Sequence, residues 1–552
     1  MLINISFATN FYVSNSTGND SNNGLSPSTP WKTISKVNSS MGSFNADDSI
    51  LFKRGDTFTG RLLPTRSGTI GHPIYFGKSV GFGSGADPIF TVASGNVIGI
   101  SNRSFLKFNG IKITDLNMDS TNRHITANID YAVSLSNSPS NYFSNMDVSL
   151  VGIAFEFDNG STADTLDQVY LHNGRMVVNT PIGISATDDY GANGVVFESD
   201  NNVILNSRFD GLWAYSYDFG EDGGAVEVFG GFSGNKVLYS YVNNCNGICE
   251  FGTNGGGNIN NTLVAYCQLT NNGLESYFSA TDVFASQVSN TQYFNNTIVE
   301  SVNTFAQASL FGFGGTPVAS TAYNLRNNIF YITDGASVMR VGNPSTKYDH
   351  QNNVYKLSGG STVGYTLGAS EVNTTSQVFT DVSAPDPKNW NFTLPQTSVA
   401  VNKGQDLGFT HDIINTPITG NPDAGAYESV NIVLTIDSCI FTYGTWQPCI
   451  SGKETRSYYK NNHACLGDPP IDSIIRNCQI TPFVQTIVYD PKTKQLYVNC
   501  TTDGIMVIYN TAGQDIYQYN YSANGSYTNI NPLPRGVYVA ATYNKSYKFY
   551  KR

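Results

Sequence analysis

The chain has 552 residues, 31 of them basic and 42 acidic, for a formal net charge of −11. That excess of acid argues against a nucleic-acid-binding protein, which needs a basic face, and no apolar run approaches the roughly 18 residues of a membrane span. Charged residues make up only 13% of the chain, aromatics reach 12% and glycine numbers 53, which describes a turn-rich β protein with a large core rather than helices held by ion pairs.

In chain order, residues 1–10 carry no basic segment and too short an apolar run for a complete signal peptide, and are consistent with the remnant of one. Trp31-Lys-Thr-Ile-Ser-Lys-Val37 predicts a short amphipathic helix, with Ser28 and Thr29 as capping hydroxyls and Pro30 in its first turn. Such a helix would cover the otherwise unpaired end of a stack of strands. From about residue 90 a rhythm sets in: short runs alternating by two, such as Phe105–Ile113, Asn202–Phe209, Lys236–Val242 and Asn261–Cys267, separated by Asn and Gly turns. Placing Leu238 on Leu263 also places Tyr241 on Tyr266, and the Gly-led strands at Gly224 and Gly247 start 23 residues apart. Periods of this length signal a solenoid, and alternation by two makes its elements strands. A coil this long holds three short strands and three turns, with Asn at left-handed turn positions and amides bonding from coil to coil. The predicted fold is all-β, a right-handed parallel β-helix over 11–430.

The ends of that region carry a resemblance. Phe11-Tyr-Val-Ser-Asn-Ser-Thr-Gly-Asn-Asp20 with Pro30-Trp-Lys-Thr-Ile34, then Phe52–Asp56 and His72–Phe76, resembles the opening of pectate-lyase-like β-helix proteins. Asn391-Phe-Thr-Leu394, Asp412 and Gly425-Ala-Tyr-Glu428 resemble the segment that closes them. The resemblance implies the fold and, since lyases, hydrolases, epimerases and adhesins share it, no single chemistry.

Residues 437–480 hold Cys439, Cys449, Cys465 and Cys478 without CxxC spacing, a pattern that favours disulfides and an oxidising, exported setting over zinc. Trp446-Gln-Pro-Cys449 with the downstream Arg456 resembles a thrombospondin type 1 repeat, and that likeness implies pairing Cys439 with Cys465 and Cys449 with Cys478. The residues alone leave three connectivities open. Residues 481–552 alternate again and predict a β-sandwich. Their order of elements resembles the C-terminal sorting domain of the type IX secretion system, with Tyr489-Asp-Pro-Lys492 where that family has Pro-Asn-Pro. The resemblance implies the secretion machinery as a partner and a secreted or cell-surface location.

The densest candidate site lies in 213–250. If Val226, Val228, Cys249 and Phe251 fill the core, Glu227 and Glu250 point outward from matching positions of adjacent coils, about 4.8 Å apart. Two carboxylates that close cannot both ionise freely, so one pKa rises and the pair supplies an acid and its base or nucleophile. Glu227, Glu250 and Asp222 are the candidate catalytic residues; Trp213, Tyr215 and Tyr217 would stack on sugar rings, and Glu275 would extend the substrate face. Asp218, Glu221 and Asp222 are candidate Ca²⁺ ligands. A structural cation site and a plain solvated face remain open for the same acids. Asp188-Asp189 and Glu198 lie in neighbouring coils, the former read first as a turn. The ordered motifs of polygalacturonases are absent. Chondroitinase B and alginate lyases pair Ca²⁺-binding glutamates with Lys and Arg; Glu227 resembles such a glutamate, and Lys236 is the nearest lysine. An acidic groove suits neutral sugars, so a polysaccharide hydrolase is favoured, with a Ca²⁺-dependent polysaccharide lyase and a non-catalytic, glycan-binding surface adhesin as alternatives.

Overall fold

The computed structural model describes residues 8–429, apart from 186, 253–257, 279–287, 314–320 and 343–344, and beyond them ten strands and Leu533. The chain divides into two units, Met1–Val430 and Asn431–Arg552.

The first unit is a parallel β-helix. Among the described residues its strands line up in three parallel sheets of twelve, twelve and nine. Each coil visits the third sheet, then the first, then the second, as in Gly224–Phe229, Lys236–Leu238 and Tyr241–Asn243. One residue with positive φ turns the chain from the first sheet to the second. Asn145, Asn206, Asn295, Asn327 and Asn352 fill that position in five coils, because asparagine tolerates the left-handed region better than most side chains.

Alternation sends every second side chain inward, where it meets its counterpart one coil away. Phe76, Phe108 and Phe143 stack in this way with ring centroids 5.1 Å apart at both steps. Buried polar side chains stack likewise and satisfy turn amides that have no strand partner. Asn141 Oδ1 accepts from Leu106 N, Asp164 Oδ1 from Asn141 N, Asn202 Oδ1 from Asp164 N and Asn235 Oδ1 from Asn202 N, at 2.6–2.9 Å. A second ladder runs through Asn296, Asn328 and Asn353.

The helix at the first end is Ile34–Ser40, three residues later than the sequence pattern predicts. Asp20 Oδ1 accepts from Lys32 N and Thr33 N, and Thr33 Oγ1 then caps the helix by accepting from Lys36 N. Ser28, Thr29 and Pro30 are therefore not its cap. Trp31 instead bridges to Val13 and stacks on Phe11 at 5.1 Å. Ile34 and Val37 are the helical residues that seal the core.

At the other end, residues 372–429 fold back along the second sheet. Phe379, Phe392 and Tyr427 form a separate apolar cluster with Val299, Ile329 and Val354. Gly425 has φ 93°, and a Cβ there would lie 2.6 Å from Ile329 Cδ1, so only glycine fits. Asp412 anchors the segment, with Oδ1 accepting from Ile414 N and Thr416 N and Oδ2 from Glu428 N.

The second unit is antiparallel. Phe441–Trp446 pairs with Lys453–Lys460, which pairs with Ile475–Asn477, and Trp446 is opposite Arg456. A three-stranded and a four-stranded sheet follow between Thr486 and Lys551. Cys439, Cys449, Cys465 and Cys478 lie outside the described residues. No helix among the described residues is long and apolar enough to cross a membrane.

Candidate functional site

Among the insertions that lengthen the passage from the second sheet to the third, two carry antiparallel strand pairs. One separates Tyr170–His172 from Asn193–Glu198 and contains the antiparallel pair Met176–Val178 with Tyr190–Gly191. The other separates Arg208–Asp210 from Gly224–Phe229 and is a hairpin, Ala214–Ser216 against Gly220–Asp222. Both rise beside the start of the third-sheet strands.

On that sheet Val226, Val228, Cys249 and Phe251 are buried, which turns Glu227 and Glu250 to the outer face, each half-buried. The two are direct partners on adjacent coils, about 4.8 Å apart by strand spacing. Their row continues backward through Val196 to Glu156 and Ser134. A neighbouring row pairs Asp158 with Glu198. The outer face of four successive coils therefore carries a track of carboxylates. Asn193 Nδ2 donates to Glu227 Oε2 at 2.9 Å, and Ser134 Oγ donates to Glu156 Oε2 at 2.7 Å.

Like charges and partial burial set the protonation of this track. Burial, then the charges of Glu250, Asp222 and Glu198, hold Glu227 well above the ordinary carboxylate range. Burial and the charge of Asp222 push Glu250 up to about 7. Asp222 is raised to about 6 by burial and by Asp189 and Asp218, against the hydrogen bond from Gly223 N. Glu198 is raised to about 7 by burial, Glu156 and Asp158. The charges that shift Glu227 and Glu250 are all carboxylates.

The hairpin carries a second acidic group. Carboxylate oxygens of Asp188, Asp189 and Asp218 lie within 4.8 Å of one another. Asp218 Oδ2 accepts from the backbone N–H of Asp188 and of Asp189, and Asp218 Oδ1 is buried without a hydrogen-bond partner. Asp189 is tied down by Thr180 N, Ser216 Oγ and Asp218 N. The all-oxygen donor set is of the kind Ca²⁺ takes, with Asp218 Oδ1 and Asp188 as its free ligand atoms.

The other sequence candidates separate. Of the Ca²⁺ set, Asp218 joins Asp188 and Asp189, Asp222 turns its charge toward Glu227 and Glu250, and Glu221 is exposed. Trp213 is covered on one face by the Arg123 guanidinium, 4.1 Å from its ring, and meets Phe305 edge-on. Tyr215 stacks on His124 at 4.1 Å, while Tyr217 stands 52% exposed with Phe219 beside it at 56%. Glu275 lies in the strand Leu274–Phe278, where Tyr277 rather than Glu275 is the partner of Glu250; the Glu275 side chain lies outside the description. Lys236 is on the first sheet.

Sequence reasoning missed Glu156, Asp158, Asn193 and Arg123. The alternation in Phe155-Glu-Phe-Asp158 is the signal that marks the first two as outward. Asn193 and Arg123 have no such signal, since each acts through a contact made far along the chain.

No family model and no curated protein matches the sequence. Among solved structures, pectate lyase Pel9A aligns at 17% identity over 77% of this chain and 98% of that one, with a TM-score of 0.49. An alginate lyase from Paenibacillus sp. str. FPU-7 aligns at 14% identity over 60% of this chain and 97% of that one, with a TM-score of 0.36. The GH136 lacto-N-biosidase from Eubacterium ramulus aligns at 13% identity over 66% and 67%, with a TM-score of 0.32.

Proposed function

We propose that the protein is a secreted polysaccharide-degrading enzyme, a glycoside hydrolase whose acid and nucleophile are Glu227 and Glu250. The observation that carries this reading is the direct pairing of the two glutamates on adjacent coils, in surroundings whose charges are all carboxylates. A spacing of about 5 Å matches the retaining arrangement. Glu227, held protonated, donates its proton to the glycosidic oxygen as that bond breaks, and Glu250, ionised, forms a bond to the anomeric carbon. Water then attacks that carbon, Glu227 takes the water's proton, and the bond to Glu250 breaks. Asn193 holds the proton donor in place through its bond to Glu227 Oε2. Asp222 raises both pKa values, and the exposed Tyr217 ring offers a stacking surface for a sugar.

A Ca²⁺-dependent lyase is the second reading, favoured by the Asp188, Asp189 and Asp218 group. Those residues would hold the ion, and bound Ca²⁺ would neutralise a uronate carboxylate. Elimination also needs a base, and Glu250 is the group placed to take a proton. In either reading, the thrombospondin-like and sorting-domain resemblances supply display and export rather than chemistry.

The test is incubation with plant, algal and bacterial polysaccharides, following reducing ends and ultraviolet absorbance together. New reducing ends without absorbance support the hydrolase. Both signals together move the assignment to the lyase, and binding with neither signal moves it to a glycan-binding adhesin.

A further inference from the structure

The third-sheet face changes character toward its first coil. Segment 62–68 runs beside the first third-sheet strand, Ile98–Ser101, joined by the parallel bridge Leu62–Ile98 and by Gly68 N donating to Ser104 O. Gly99 stands in the row of Ser134, Glu156 and Glu227, and Arg61 lies over it: a Cβ on Gly99 would be 2.7 Å from Arg61 Nη2. The missing side chain makes room for the guanidinium. At the other end of the same edge, Arg66 and Arg103 converge on a cleft lined with Phe44, Asn45, Thr65 and Thr69.

Among the described residues, none of these three arginines makes an ion pair with a carboxylate. Arg103 Nη1 donates to Asn102 O, and its Nε is buried without a partner. Arg66 Nε reaches only Phe44 O, at 3.4 Å. The two acids that follow Asn45 and Ala46 of the cleft lining are already engaged: Asp47 with His72 at 2.9 Å, and Asp48 with the backbone N–H groups of Thr9 and Asn45. In a chain of net charge −11, three guanidiniums without a carboxylate partner, two of them lining one cleft and the third farther along the same segment, are a matched receiver for oxyanions, which they bind through paired N–H donors.

We infer that Arg61, Arg66 and Arg103 form a distal oxyanion subsite for the carboxylate or sulfate of an acidic polysaccharide. Four coil steps separate Gly99 from Glu227 along the row, about 19 Å at strand spacing. The subsite therefore grips an acidic unit several sugars away from the reacting bond, while the acidic centre of the face admits a neutral one. The substrate class this implies is a heteropolysaccharide with spaced acidic substituents. The inference rests on the proposed reading of this face as a polysaccharide path, and a binding assay separates it from turnover.

The experiment is native electrophoresis of the full chain through gels containing polygalacturonate, dextran sulfate or neutral dextran. The wild type should be retarded by at least one anionic polymer despite its own negative charge, and more weakly as salt rises. Arg61→Gln/Arg66→Gln/Arg103→Gln should weaken that retardation at least tenfold and leave migration in neutral dextran unchanged. Retardation by polygalacturonate alone assigns a carboxylate ligand, and by dextran sulfate alone a sulfate; both together assign the shared oxyanion. Absence of retardation by either anionic polymer, or undiminished retardation of the triple variant, overturns the inference. Should the triple variant fail to fold, Arg61→Gln and Arg66→Gln alone, both at exposed positions, should each weaken retardation at least twofold. Loss of turnover in Glu227→Gln with retardation intact leaves both readings standing, whereas full turnover in Glu227→Gln with retardation intact removes the catalytic assignment and keeps the subsite.

Discussion

Replacing Asp164 by asparagine should stabilise the β-helix at neutral and alkaline pH. Asp164 occupies an asparagine-type position in the buried ladder, between Asn141 and Asn202. It is fully buried, and its Oδ2 has no partner. The equivalent amide of Asn141 donates to Ser138 O, three residues before it. Burial accordingly raises the Asp164 pKa from an ordinary 3.8 to about 8, against the hydrogen bonds from Asn141. Below about pH 4 the carboxyl is protonated whether the chain is folded or not, and the site costs nothing. Between pH 4 and 8 the unfolded chain releases this proton and the folded one keeps it, so folding loses about 1.4 kcal/mol per pH unit. At pH 7 the accumulated penalty has a ceiling of about 4 kcal/mol, and Asp164→Asn removes it while supplying an amide donor. About 2.1 cal/mol/K per residue over roughly 420 residues makes 1 kcal/mol worth about 1 °C in Tm. Melting followed by circular dichroism should place Asp164→Asn about 2–4 °C above wild type at pH 7–8 and level with it near pH 4. Equal pH slopes for the two proteins, or a variant less stable at pH 8, would refute the reasoning.

Four further outcomes follow from the site and the closing segment. Glu227→Gln and Glu250→Gln should each lower kcat by several orders of magnitude on the substrate the polysaccharide screen identifies, with melting temperatures at or above wild type, since each removes a carboxyl whose pKa folding raises. Turnover should rise through about pH 7 as Glu250 ionises and fall at higher pH as Glu227 gives up its proton, a profile read directly from initial rates across buffers. Added Ca²⁺ should raise the wild-type Tm, and Asp218→Asn should abolish that shift; an identical shift in the variant would remove the Asp188, Asp189 and Asp218 group as its source. Gly425→Ala should cost about 2 kcal/mol or more, through both its positive φ and the Ile329 contact, and denaturant unfolding checks it.

The parallel β-helix is legible in the sequence because its determinants are local and repeat. Leu238 and Leu263, read as equivalent from spacing, are near neighbours in the ladder, where Lys236 pairs with Leu263 and Leu238 with Ala265, a two-residue offset in register. The Glu227–Glu250 pairing is legible because no insertion separates Gly224 from Gly247. Glu156 and Asp158 were obscured by the insertion after His172, which lengthens the next coil and breaks the period. The gathering of Asp188 and Asp189 with Asp218 depends on a hairpin returning 29 residues later, which no local pattern encodes. The same holds for Trp213, whose covering arginine is 90 residues away. The helix start was displaced by Asp20, which takes two amides that helix residues would otherwise leave unsatisfied.

The return of residues 372–429 along the second sheet also orders events in time. Tyr427 Oη bonds to Gln268 Oε1 across 159 residues, Ala426 N to Thr297 Oγ1 across 129, and Tyr266 Oη to Glu428 across 162. Early coils can zip up as they are made, each on the one before, but those near Gln268 and Thr297 keep an open flank until the final stretch arrives. At synthesis rates of about 5–20 residues per second, that flank stays bare for roughly 6 to 30 seconds. The closing segment thus acts as a latch thrown last, and a chain truncated before it would leave its newest coils exposed to aggregation rather than merely shorter.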